Sequence, residues 1–115
     1  MKLFWLSDAV ADLDEIYGYY VNLNPRTAAM LYNSILDDAE ILRANPRAAR
    51  KEPLLEDLAE EYRSLVVAQG RYKLVYYIEN DSVYIVQVFA CRQNPYKLKI
   101  TTLNRTMYPH NAELA

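Results

Sequence analysis

Cys91 and His110 are each alone of their kind in a chain of 115 residues, which narrows the chemistry open to it. One cysteine makes no internal disulfide, and no pair of Cys or His residues has metal-ligand spacing. Arg92 beside Cys91 could lower the thiol pKa, but a lone strand cysteine is ordinarily a small hydrophobe. His110 lies in a polar stretch and reads as a solvated side chain. There is no phosphate-cradling P-loop, no glycine-rich dinucleotide turn and no Ser/His/Asp arrangement. No metal and no other cofactor are expected. What remains is charge. Residues 1–61 hold 6 Lys/Arg against 12 Asp/Glu, whereas residues 62–115 hold 7 against 3. An acidic layer and a basic layer are therefore expected, with the basic layer the place where an anionic partner docks. The net charge of −2 and the pI near 5.4 speak against a general nucleic-acid binder, because each neutralised phosphate adds to affinity through counterion release. Tyr17, Tyr19 and Tyr20 read as core and rim residues of a helix and not as a base-stacking platform, which normally sits on a basic surface.

The elements that must position these residues follow from hydrophobic period. Lys2–Leu6 is a short apolar run that ends at Ser7, a good helix cap. From Asp8, Val10, Leu13, Tyr17 and Tyr20 recur at three- and four-residue spacing, which predicts an amphipathic helix of three to four turns with Asp8 and Asp12 near its positive end. Asn24-Pro25 is a second start signal, because proline is tolerated at the first helical position. The helix it opens puts Ala28, Leu31, Ile35, Ala39 and Leu42 on one face and stops by Asn45-Pro46. Residues 47–61 read as a connection containing at most a helical turn around Leu54, Leu55 and Leu58.

Beyond Glu61 the period becomes 2. Residues 62–68, 71–79 and 82–91 predict a three-stranded meander turned at Gln69-Gly70 and Asn80-Asp81. In its middle strand Tyr72, Leu74, Tyr76 and Ile78 should pack on the helices. Arg71, Lys73, Val75, Tyr77 and Glu79 should face a partner or solvent. Pro95 ends the last strand, and the segment from Tyr96 to Ala115 is expected to be partly mobile or laid across the sheet. On that reading a chain cut after Pro95 keeps its core.

With 52% hydrophobic residues, 24% charged and two glycines, the chain reads as one globular domain. No apolar stretch approaches a membrane span and the N-terminus lacks a signal-peptide core, so a soluble protein of a reducing cytoplasm is expected.

The order strand, two helices, then three hairpin-linked strands, with Tyr62-Arg63, with Arg71-Tyr72-Lys73-Leu74-Val75-Tyr76-Tyr77 and with Val88-Phe89-Ala90-Cys91-Arg92-Gln93-Asn94-Pro95, resembles the RelE/ParE toxin family over residues 2–98. These are the toxins of bacterial type II toxin–antitoxin modules, also called plasmid stabilisation proteins. The resemblance implies an α+β fold in which an N-terminal strand and a two-helix hairpin pack on a small antiparallel sheet, β-α-α-β-β-β, with residues 1–98 as the toxin domain and 99–115 as a C-terminal tail. It also implies a cognate antitoxin, and assembly as a homodimer or as a hetero-oligomer with that antitoxin. Two mechanisms are open. RelE-like members are similar to metal-independent endoribonucleases that cut messenger RNA on the ribosome, and their basic positions fall on Arg63, Lys73 and Arg92. A further such position is Leu65, and Tyr96 stands for a tyrosine of the C-terminal segment. No His or carboxylate accompanies these cations as a base. ParE-like members poison DNA gyrase, which needs a protein surface more than a phosphate cradle. The acidic chain fits the latter better, with Arg71, Tyr96 and Lys97 as target-binding residues. A third reading, motivated by Leu65, is a degenerate, non-toxic domain that binds antitoxin only.

Overall fold

The computed structural model describes residues 1–107 and 113–114. Strand β1 (Lys2–Leu6) runs directly into α1 (Ser7–Val21), followed by α2 (Pro25–Ala39) and a single turn, α3 (Ile41–Ala44). Leu6, not Ser7, occupies the cap position of α1 in extended conformation, and its side chain makes no capping bond. Asn24 does cap α2, accepting from the backbone N–H groups of Arg26 and Thr27 at 3.0 and 3.3 Å, with Pro25 at the first helical position. A 3₁₀ turn (Pro53–Leu55) interrupts the connection to β2 (Arg63–Val67), β3 (Tyr72–Glu79) and β4 (Ser82–Ala90). Both hairpin turns use left-handed backbone: φ is +53°, +57° and +87° at Ala68, Gln69 and Gly70, and +49° and +61° at Asn80 and Asp81. The second pair has the sign pattern of a type I′ turn, whose twist matches that of the strands it joins.

The architecture is α+β, and the sheet is mixed where an antiparallel one was expected. Its order is β2-β3-β4-β1-β5, the last being Glu113–Leu114. The meander leaves β4 with an open edge, and β1 closes the first half of it in parallel register, Lys2↔Ser82 to Trp5↔Ile85. Between Val75↔Gln87 and Tyr76↔Ile85 the pairing skips Val86. This bulge turns both Val86 and Gln87 to one face of the sheet.

Two cores result. On one face Tyr72, Leu74 and Tyr76 pack with Leu13, Leu31 and Ile35 of the helical hairpin, as the alternation predicts. The opposite face of β3 was expected to meet solvent or a partner, yet Val75 is fully buried there with Leu6, Leu55, Tyr62, Val86 and Phe89. The cause is a helix in the segment expected to be partly mobile or laid across the sheet, and it is the second of these that the structure has. Pro95–Met107 forms α4, which buries Leu98 and Thr102 against that face. Asn94 Oδ1 accepts from the N–H of Tyr96 at 3.0 Å. Asn94-Pro95 thus repeats the start signal of Asn24-Pro25. The boundary drawn at residue 98 falls inside this helix, and the core includes residues beyond Pro95. His110 lies outside the described residues.

Candidate functional site: a cationic cleft between the hairpin and the last helix

Where β1 ends, the second half of β4 has no strand beside it on that edge among the described residues, and side chains satisfy its backbone. Val88 N–H donates to Asp12 Oδ2 at 2.9 Å, and Arg105 Nη1 donates to Val86 O at 2.8 Å. The Arg105 guanidinium also grips both oxygens of Asp12, each at 2.8 Å, with Asp8 3.8 Å from its Nε. Burial works against the Arg105 charge, but the Asp12 hydrogen bond and the charges of Asp12 and Asp8 outweigh it and raise the pKa. Gln87 Nε2 donates to Leu98 O and Thr102 Oγ1 at 3.3 and 3.0 Å, tying α4 to the bulge. These bonds form the floor of a cleft of about 330 Å³ between α1, the end of β4 and α4, rimmed by Glu15, Tyr19, Tyr20, Arg92, Lys97 and Thr101. A second cleft of about 440 Å³ adjoins it, sharing Tyr20, Tyr72, Ala90 and Arg92 and adding Thr27, Gly70, Arg71 and Cys91.

The ion pairs decide which cations serve this surface. Of the seven Lys and Arg residues in 62–115, four hold carboxylates of the first half. Arg63 Nη2 lies 3.4 Å from Glu61, Lys73 pairs with Glu52, Lys99 lies 2.7 Å from Asp57, and Arg105 holds Asp12. The other three, Arg71, Arg92 and Lys97, are exposed, make no ion pair among the described residues, and line the two clefts. The basic layer expected from the sequence is therefore largely neutralised internally, and its remainder gathers in one place.

The three cations considered for RNA cleavage are not brought together. Arg63 stands opposite Tyr76, on the side of the sheet that faces the helical hairpin, and Nη1 donates to Ala49 O at 2.7 Å. Lys73 points to the opposite side, where Glu52 also accepts from Ser64 Oγ at 3.3 Å. Only Arg92 remains in the open cleft. Leu65, opposite Leu74, packs against the hairpin core. The first cleft holds two carboxylates, Asp12, which Arg105 grips, and Glu15 on the rim, and the phenol and thiol nearest the unpaired cations are both shifted away from ionisation. Burial pushes the Tyr72 phenol up, Tyr20 adds to this through its charge and a hydrogen bond, and Arg92 and Arg71 oppose it. Burial likewise raises the Cys91 thiol, against the charge of Lys73. No cluster among the described residues could hold a metal ion. Of the target-binding candidates, Arg71 and Lys97 line the clefts, whereas Tyr96 stands on the outer surface of α4. Arg105 and Asp12, which build the cleft floor, were missed as a pair because 93 residues separate them.

The family described as the ParE toxin of the type II toxin–antitoxin system, parDE, matches residues 3–95. The chain belongs to the ParE toxin family. Among solved structures it is similar to the chromosomal ParDE toxin–antitoxin system from P. aeruginosa, at 26% identity and a TM-score of 0.65, covering 78% of this chain and 95% of that one. No curated protein matches significantly. In this ParE-family chain the family match ends at Pro95, so all of α4 beyond its first residue lies outside the matched range.

Proposed function

We propose that this chain inhibits DNA gyrase, that a cognate antitoxin neutralises it, and that Arg71, Arg92 and Lys97 bind the target. One observation carries the reading. Two of the three cations considered for RNA cleavage, Arg63 and Lys73, are held in ion pairs on opposite faces of the sheet, while the three unpaired cations line clefts whose phenol and thiol are shifted away from ionisation. Such a surface suits an anionic face of a protein, and it does not gather the cations that would stabilise a charged phosphorane around one phosphate. No described helix is long and apolar enough to cross a membrane, in keeping with action on a cytoplasmic target.

The test is a gyrase supercoiling and cleavage assay with purified toxin, run beside mapping of messenger RNA ends after induction in cells. Gyrase inhibition that is lost in an Arg71→Glu, Lys97→Glu double variant is the expected result. In-frame cuts on translated messages would overturn it in favour of the ribosome-dependent nuclease. Normal growth at full expression, with gyrase unaffected, would instead leave a domain that binds antitoxin only.

A further inference from the structure

We infer that the outward face of α4 is a docking stripe for an acidic amphipathic helix of the neutralising partner, an inference that rests on the reading of this chain as an antitoxin-controlled toxin. Helix α4 turns Leu98, Thr102 and Arg105 toward the sheet and α1. At the helical advance of about 100° per residue, Tyr96, Ile100 and Met107 then gather on the opposite side, with the half-buried Leu103 at the edge of the stripe, where it lines a cleft with Leu58 and Tyr62. Steps of four and seven residues keep these three in line along one side of the helix. Tyr96 and Met107 are each 67% exposed and Ile100 is 47% exposed. A surface helix with one face against its core ordinarily carries polar residues there.

Charge selects the occupant. α4 has three cations and no Asp or Glu. Arg105 is turned inward onto Asp12 and Lys99 is held by Asp57. Lys97 flanks the stripe on the other side, beside Arg92, and makes no ion pair among the described residues. A second copy laid parallel on the stripe would set Lys97 against Lys97. A helix with acidic flanks instead sets carboxylates against Lys97 and Arg92 while its apolar face covers Ile100 and Met107. Lying there it would also run along the rim of the cationic cleft, so that docking covers the surface assigned to the target. The stripe lies beyond the residues shared with the family, which suits a contact that separates this toxin's own partner from those of its relatives.

The experiment uses the full-length chain and the purified product of the reading frame adjacent to its gene, with binding measured by calorimetry. An Ile100→Glu, Met107→Glu double variant is compared with Val66→Glu, an exposed site on β2 at the far edge of the sheet. Both variants are first checked for unchanged circular dichroism. The double variant should bind at least about 30-fold more weakly, with Val66→Glu unchanged. Binding that is equally tight in all three proteins would overturn the stripe and leave neutralisation standing. No binding by the wild-type chain would overturn both. A concentration-dependent dimer of the wild-type chain that the double variant loses, with partner binding intact, would assign the stripe to a second copy and overturn the inference.

Discussion

Lys73 holds Glu52, a carboxylate only 2% exposed that also accepts from Ser64 Oγ and the N–H of Leu54. Removing the cation strands a buried charge, so Lys73→Ala should lower stability by about 3 kcal/mol. Converting the pair together, Lys73→Met with Glu52→Gln, should restore most of that loss, because neither partner is then left as an unpaired ion. Urea denaturation of the two variants beside the wild-type chain checks both statements. The same reasoning governs Arg105, whose removal leaves Asp12 without its cation and Val86 O without its donor. Arg105→Leu should cost about 2–4 kcal/mol, read from the denaturation midpoint. A loss of toxicity in any of these variants reports on folding first. Arg71, Arg92 and Lys97, which hold no carboxylate among the described residues, are the positions where a loss of function can be read as a loss of binding.

At the scale of elements, α4 decides where the domain ends. It seals the second core, where Leu98 is fully buried beside Val75 and Phe89, and Thr106 shares a hydrogen bond of 3.2 Å with the Tyr62 hydroxyl. A chain truncated after Pro95 is therefore expected to lose its cooperative unfolding transition. This reverses what the sequence pattern suggested for that cut. The graded version is Leu98→Ala, which should cost about 3 kcal/mol through lost transfer energy and a residual cavity. Thermal melts followed by circular dichroism separate the two. A truncated protein that melts as sharply as the full chain would show that the hairpin core suffices without α4.

For the whole molecule, two cores on either side of one sheet bury tyrosine hydroxyls in both. Tyr72 and Tyr76 belong to the hairpin core and Tyr77 borders the other. Burial lifts all three above the ordinary phenol value of 10, Tyr77 to about 12 with Glu79 and Glu60 adding repulsion. Because the folded pKa values are raised, the unfolded chain loses protons first as pH climbs. Stability from these groups is complete below pH 10 and declines as pH rises from there through the folded values. Phenolate absorbance should rise in two stages, exposed tyrosines first, with the late stage coinciding with loss of the circular dichroism signal. A late stage with the fold intact would mean that these hydroxyls ionise without unfolding.

Local signals in the chain were enough to define most elements. Asn24-Pro25, the three- and four-residue apolar spacing and the left-handed turns at Gly70 and Asn80-Asp81 each act within a few residues, where capping, steric limits and burial periodicity operate. The signal for α4 was equally local, since Asn94-Pro95 has the composition of Asn24-Pro25. In the sequence Pro95 marks the end of a strand, and nothing local shows that the apolar residues after it have an open face of the sheet to pack on. Charge followed the opposite course. The basic excess of residues 62–115 is visible in the sequence, but the ion pairs of Lys73, Lys99 and Arg105 form between residues 21, 42 and 93 apart. Only the tertiary structure brings these partners within reach of each other. It thereby decides that Arg71, Arg92 and Lys97 remain for a partner while four equally basic side chains do not, because a charge already neutralised in the fold has little attraction left to offer.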